Sequence, residues 1–187
     1  MCILKSLGMV SAAAVLAAAF SLSASAELAN ASLKDRNGKA VGDIDLMQTQ
    51  GGVLLKITVK DIPPGEHAFH IHAVGKCEAL FESAGPHFNP GNHKHGMMSG
   101  PGHAGDMPNL HVPQSGDLSV EILNPAITLV KGKPNSVFDA DGSAIVIHAK
   151  ADDYKSDPAG NAGDRIACGV ITESGTAATV GGSRPPK

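Results

Sequence analysis

The sequence contains no tryptophan, one tyrosine and five phenylalanines among 187 residues. Its core must be aliphatic, and an immunoglobulin-type adhesion sandwich, organised around a buried tryptophan, is a poor fit. Charge is sparse as well. Fifteen Lys and Arg stand against eighteen Asp and Glu, for a formal net charge of −3, and the chain has no basic block. That balance argues against nucleic-acid binding and against attachment to an anionic membrane surface. After residue 26 no stretch carries the apolar period of an amphipathic helix. Cysteine is limited to Cys2, Cys77 and Cys168.

What is present begins with an apolar run at the N-terminus. Lys5 gives a positive start, Val10 to Leu22 is alanine-rich, and Ala24-Ser25-Ala26 offers a small-residue cleavage site. This is the layout of a secretory signal peptide, too short and wrongly flanked for a membrane anchor. The expected organisation is a signal peptide over 1–26, one domain over 27–171, and a disordered Gly-, Ser-, Thr- and Pro-containing tail over 172–187. Cleavage near Ala26 sends the protein to the periplasm or another exported compartment and removes Cys2. Cys77 and Cys168 then remain, either as one intramolecular disulfide or as two buried free thiols. Closing a loop of about 100 residues would contribute roughly 4.7 kcal/mol on the chain-entropy account.

Short alternating runs between turn residues predict an all-β domain. In the clearest, Val53, Leu55, Ile57 and Val59 share one face, while Lys56, Thr58 and Lys60 share the other with Leu54. Asn37-Gly38 marks a hairpin between strands at 28–35 and 40–48, and Gly51-Gly52 marks the next. Further strands are expected at 66–73, 109–113, 117–123, 143–149 and 165–171. Two connections, 74–108 and 150–164, lack periodicity. Segments of that length in a compact domain are functional, or held by something other than secondary structure, such as a metal or a disulfide.

The nine histidines all lie between His67 and His148. On a strand through GEHAFHIH, Phe69 and Ile71 face the core with His67, and His70 and His72 project together from the opposite face. His148 repeats the pattern after Ile145 and Ile147. The loop adds His87, His95, His103 and Asp106, nitrogen donors with one carboxylate, a set suited to zinc or copper rather than calcium or magnesium. His67 reads as a hydrogen-bonded structural residue and His93 as a solvated one. Met97, Met98 and Met107 read as loop packing.

With those residues in view, HAFHIH (67–72), GPHFNP (85–90), HKHG (93–96), HAGDMPNL (103–110), VIHAKADD (146–153) and GNAGDRIACGVI (160–171) resemble the copper,zinc superoxide dismutases of exported bacterial type. The resemblance runs over essentially the whole mature domain, with the motifs in order. It implies an eight-stranded antiparallel Greek-key barrel, a flattened immunoglobulin-like sandwich, with the site outside it beneath two long functional loops. It implies copper held by His70, His72, His87 and His148, and zinc held by His87, His95, His103 and Asp106, one ion of each per subunit. His87 is shared. Asp152 matches the carboxylate that joins His70 to His95, Arg165 matches the guanidinium that docks the anion, and Cys77 and Cys168 match the family's disulfide.

The implied activity is disproportionation of superoxide to dioxygen and hydrogen peroxide by a copper redox cycle. His87 and Arg165 take catalytic parts, and zinc is the structural and tuning ion. Superoxide is the expected substrate. Bacterial members include monomers and dimers, and a homodimer is the expectation here. The chain departs from the eukaryotic pattern in its 150–164 loop, which lacks the full set of guiding charges and leaves Lys76, Lys94 and Lys155 as candidate cations. Glu78 and Glu82 oppose an incoming anion. The competing reading is a copper/zinc-binding or copper-delivery module without efficient turnover.

Overall fold

Alternating side chains set the architecture. The computed structural model describes residues 26–98 and 100–177. Strands β1 (Ala26–Asp35), β2 (Ala40–Thr49) and β3 (Gly52–Val59) run antiparallel in sequence order. Val53, Leu55, Ile57 and Val59 of β3 meet Leu33, Ile44 and Leu46 in one aliphatic core. Burying a side chain of this size contributes about 1.5–3 kcal/mol. The hairpin between β1 and β2 turns at Gly38, whose φ of 80° is left-handed. The side chain of Asp35 accepts the Asn37 and Lys39 N–H groups there.

Beyond these hairpins lie β4 (Gly65–His67), β5 (Phe69–His72), β6 (Leu110–Val112), β7 (Leu118–Asn124), β8 (Ala144–His148), β9 (Arg165–Val170) and β10 (Thr172–Ala177). The main sheet has the order β5-β8-β9-β1-β2-β3-β7, and β4 pairs with β6. Because β4 runs into β5 with only Ala68 between them, β6 extends the same curled antiparallel layer. The connections from β3 to β4 and from β7 to β8 cross from the β3–β7 end of the strand order to the β5–β8 end, which is the Greek-key step. The fold is an all-β Greek-key barrel.

Three expectations need correction. The run 66–73 is two strands, because Ala68 turns aside: its N–H donates to Lys150 O and its carbonyl accepts from His148 N–H. The connection 74–108 is not wholly irregular. A six-residue 3₁₀ turn spans Ala79–Ala84, and its Leu80 and Phe81 adopt φ values of 57° and 64°. Burial of Phe81 and Ala84 against Val146 and Cys168 pins that turn to the barrel. The tail expected to be disordered from residue 172 instead continues as β10 to Ala177. It pairs with the first half of β1, whose backbone would otherwise be an open edge. Residues 1–25, which contain nearly all of the expected signal peptide, and 178–187 lie outside the described residues.

Candidate metal centre

The barrel places the first histidines. On β5, Phe69 and Ile71 enter the core, so His70 and His72 leave by the outer face. On β8, Ile145 and Ile147 enter the core and His148 follows, at a register shift that sets it opposite Arg165. The loop donors are placed by their neighbours. Phe88 and Met107 are buried in the core, and each fixes the adjacent residue, His87 or Asp106. Backbone hydrogen bonds complete the seam: Phe88 N–H to Ile71 O (2.8 Å), Ile71 N–H to Gly105 O (2.9 Å) and Gly105 N–H to Phe88 O (2.8 Å). A Cβ on Gly105 would fall 2.2 Å from Ile71 O, so no larger residue fits there.

The loops then cover what the strands present. His70 and His72 lie outside the barrel wall yet are 0 % and 1 % exposed. Three groups of donor atoms converge within 4.8 Å: His70, His72, His87 and His148; His87, His95, His103 and Asp106; and His70, His95 and Asp152. The structure thus brings together every histidine and aspartate proposed from the sequence as a ligand or bridge. His67 is buried, its Nδ1 and Nε2 lying 2.8 Å from His148 O and 2.7 Å from Pro63 O, as expected of a structural residue. His93 is exposed on a loop braced by Asn89, and His111 is exposed beside Glu66. Met107 is core, whereas Met97 and Met98 are exposed, so loop packing accounts only for the first.

The donor geometry suits cations. Nδ1–H of His72 donates to Gly85 O (2.9 Å), and Nδ1–H of His148 donates to Gly163 O (3.3 Å). A carbonyl only accepts, so each ring carries its lone pair on Nε2. Those two Nε2 atoms are 3.3 Å apart. Two lone pairs facing each other at that distance repel unless a positive ion lies between them. His70 donates from Nε2 to Asp152 Oδ2 (2.7 Å), which leaves Nδ1 as its lone-pair atom without a partner. His87 Nε2 and His103 Nδ1 are also buried without a hydrogen-bond partner.

Around Asp106 the pattern repeats. Its Oδ1 lies 2.9, 3.0 and 3.5 Å from Nδ1 of His87, His95 and His103. Zinc bonds of about 2.0–2.1 Å in a tetrahedron set donors roughly 3.3–3.4 Å apart, close to this spread. The other carboxylate oxygen is held by the Gly96 and His103 N–H groups, at 3.0 and 2.9 Å. The residues fit one all-nitrogen ion and one ion with three nitrogens and an oxygen.

Burial prepares these groups electrically. It pushes the His70 imidazole down to about 4, against a smaller opposing pull from Asp152, and the His148 imidazole down to about 3. Burial also lowers His72 far below its ordinary range and lowers His103. These rings are therefore neutral and have lone pairs free at neutral pH, as metal ligands must. For both aspartates burial pushes the other way, but hydrogen bonds win. Donation from His87 and from the Gly96 and His103 N–H groups holds Asp106 ionised, and donation from His70, His95 and Tyr154 N–H lowers Asp152 to about 2.

Asp152 links the two larger groups. Its Oδ2 accepts from His70, and its Oδ1 accepts from His95 Nε2 at 3.0 Å. Such partners orient a ligand ring and select its tautomer. Sequence reasoning missed Asn109 and Asp157. Asn109 accepts the Asp152 N–H (2.8 Å) and donates to the Asp152 carbonyl (3.0 Å), while Asp157 accepts the His95 N–H (2.8 Å). Neither has a local signal, because each acts on backbone more than forty positions away.

A depression opens onto the first group, its wall including His72, Glu82, Gly85, His87, His148 and Arg165. Arg165 donates from Nη1 to Phe81 O and from Nη2 to Gly85 O, both at 2.7 Å. The Cys77–Cys168 disulfide anchors the start of the loop that carries these carbonyls. Among the described residues lining the depression, Arg165 is the only Lys or Arg. Lys76, Lys94 and Lys155 are exposed elsewhere.

The family model for copper/zinc superoxide dismutase matches residues 40–171. A copper-zinc superoxide dismutase of Aquifex aeolicus is 51 % identical over 162 residues, covering 84 % of this chain and 96 % of the relative. The Caulobacter vibrioides enzyme is 41 % identical over 148 residues, 76 % of this chain and 84 % of its own. Among solved structures, a superoxide dismutase-like protein from Bacillus subtilis superposes with a TM-score of 0.72 at 42 % identity, covering 75 % of this chain and 96 % of that one. The Brucella abortus copper/zinc enzyme superposes at 0.65 with 29 % identity, covering 78 % and 100 %. By sequence and by fold, the chain belongs to the copper/zinc superoxide dismutase family.

Proposed function

We propose that this protein disproportionates superoxide: two superoxide anions and two protons give one dioxygen and one hydrogen peroxide. The observation that carries this reading is His87. Its ring belongs to both four-donor groups, with Nδ1 beside Asp106 and Nε2 free of any protein partner. We assign His70, His72, His87 and His148 to copper, and His87, His95, His103 and Asp106 to zinc. Copper, when bound, supplies the one-electron change that both half-reactions need, while zinc has no redox change and instead holds its loop.

The chain's own groups do the rest. Two of the five guanidinium N–H groups of Arg165 are used on carbonyls, which fixes the plane and leaves three for an anion. His87 Nε2, on a ring lining the same depression, is the atom that can hold a proton for the departing peroxide. His70, fully buried and outside that depression's lining, closes the inner side of the site.

Pulse radiolysis of the copper- and zinc-loaded protein tests this. The expected second-order rate approaches about 10⁸–10⁹ M⁻¹s⁻¹, a ceiling for which superoxide dismutase is itself a standard example, and it falls with added salt. A loaded protein no faster than spontaneous dismutation rejects the reading and leaves a copper/zinc-binding or delivery module.

We read the protein as exported to the periplasm, with residues 1–26 removed. The Cys77–Cys168 disulfide supports an oxidising compartment. Cleavage after Ala26 takes one residue from β1, and N-terminal sequencing of the secreted chain should start at Glu27. The expected homodimer is read by sedimentation of the mature protein.

A further inference from the structure

The sole tyrosine of the chain, Tyr154, stands two residues after Asp152 and is bonded to it. Tyr154 holds a φ of 60°, a left-handed conformation costly for an aromatic residue and kept only where several contacts impose it. Its N–H donates to Asp152 Oδ1 (2.6 Å), and its hydroxyl accepts the Asn109 N–H (2.7 Å). Its carbonyl accepts from Met98 N–H (3.4 Å) and lies so near Gly96 that a Cβ there would be 2.2 Å away. Asn109 in turn grips the Asp152 backbone with both ends of its amide. These bonds close a ring from Tyr154 through Asn109 to Asp152 and back. The Asp152 carboxylate leaves that ring to meet His70 on one side and His95 on the other.

We propose that Tyr154 is a positioning residue for the zinc site: its hydroxyl, acting through Asn109, fixes the Asp152 carboxylate and so aims the His95 lone pair at the ion. The inference rests on the assignment of His95 to zinc made above. The hydrogen-bond partner of the phenol hydroxyl is Asn109, whose side-chain amide holds the Asp152 backbone, so the route from the hydroxyl runs through Asp152. A residue that merely filled space would act equally well without its hydroxyl.

The test is zinc affinity of the full mature, copper-loaded protein, read by competition with a chromogenic chelator in the absence of superoxide. Tyr154→Phe, which keeps the ring and loses the hydroxyl, should weaken zinc about ten-fold, the low end for residues that orient a metal ligand. Asp152→Asn should weaken it more, and adding Tyr154→Phe to Asp152→Asn should change affinity less than two-fold, because the route is already cut. Should Tyr154→Phe fail to fold, Asn109→Asp tests the next link of the same route, since it keeps the bond to the Tyr154 hydroxyl and the acceptor for Asp152 N–H but loses the donor to Asp152 O, and an affinity within two-fold of wild type there overturns the proposal equally. An affinity within two-fold of wild type, or losses that add in the double variant, overturns the proposal. A wild type that binds zinc as described yet shows no turnover refutes the function above and leaves this inference standing.

Discussion

Leu55 on β3 and His95 in the long loop are equally hidden, at 0 % and 1 % exposure, but their surroundings are opposites. Leu55 sits in the aliphatic core cluster, and its strand pairs on both sides, with β2 and with β7. His95 lies in irregular backbone, with Nδ1 at 3.0 Å from one carboxylate and Nε2 at 3.0 Å from another. A ring that donates to Asp152 from Nε2 keeps Nδ1 as its lone-pair atom facing the Asp106 oxygen, and a cation held between that nitrogen and that oxygen makes both contacts favourable. The β1–β3 and β7 side of the barrel is complete in itself. The loop side is complete only with cations.

The sharpest way to break that comparison is His87→Ala, which removes the one ring common to both groups. Superoxide turnover should fall at least about a hundred-fold, since copper and zinc each lose a ligand and the proton-holding nitrogen goes with it, while the far-UV signature of the barrel is unchanged. A variant with near wild-type turnover would show that the ring is not shared. Stripping both metals with a chelator should come next. A site saturated about a thousand-fold above its dissociation constant contributes roughly 4 kcal/mol and two such sites roughly 8 kcal/mol, so the melting temperature should drop by about 20 °C. Hydrogen exchange should rise in 74–108 and 150–164 and hold steady in β1 to β3.

Arg165→Lys keeps the charge but cannot hold Phe81 O and Gly85 O together. It should lower kcat/KM about ten-fold with zinc affinity untouched, as competition and kinetics on the same sample would reveal. Acid sharpens the contrast by smaller steps. His70 and His148 are held neutral at values of about 4 and about 3, against an unfolded value of 6.5. Below that unfolded value the unfolded chain binds protons the folded one refuses. The metal-free protein should therefore be stable above pH 6.5 and lose stability as pH falls from there toward 3, in denaturant titrations at stepped pH. A flat response over that window contradicts the neutral rings. Smallest of all, Glu82→Gln removes an exposed carboxylate 3.9 Å from Arg165. It should raise the association rate about two-fold at low salt, with the gain vanishing at high salt.

The two regions also differ in how far they could be read from the chain. The β3 face was legible because a two-residue period in Val53, Leu55, Ile57 and Val59 has one structural meaning. The positions of His70, His72 and His148 followed from the same period. The break at Ala68 was not legible, since the alternation passes through it without interruption. Nor was β10: Thr172, Glu173, Ser174 and Gly175 carry no apolar signal, and their pairing is decided by the backbone that β1 leaves free. In the loops the donor types pointed to a metal, and the quoted motifs supplied the grouping. Asn109, Tyr154 and Asp157 escaped because they serve backbone groups, which a sequence does not display.

The account depends on one imidazole standing between two cations. Anomalous diffraction from crystals of the loaded protein, collected at the copper and zinc absorption edges, tests it most directly. The predicted result is copper at bonding distance from His87 Nε2 with His70, His72 and His148 around it, and zinc at bonding distance from His87 Nδ1 with His95, His103 and Asp106. Two ions that do not share His87, or a single ion taking donors from both groups, would contradict it.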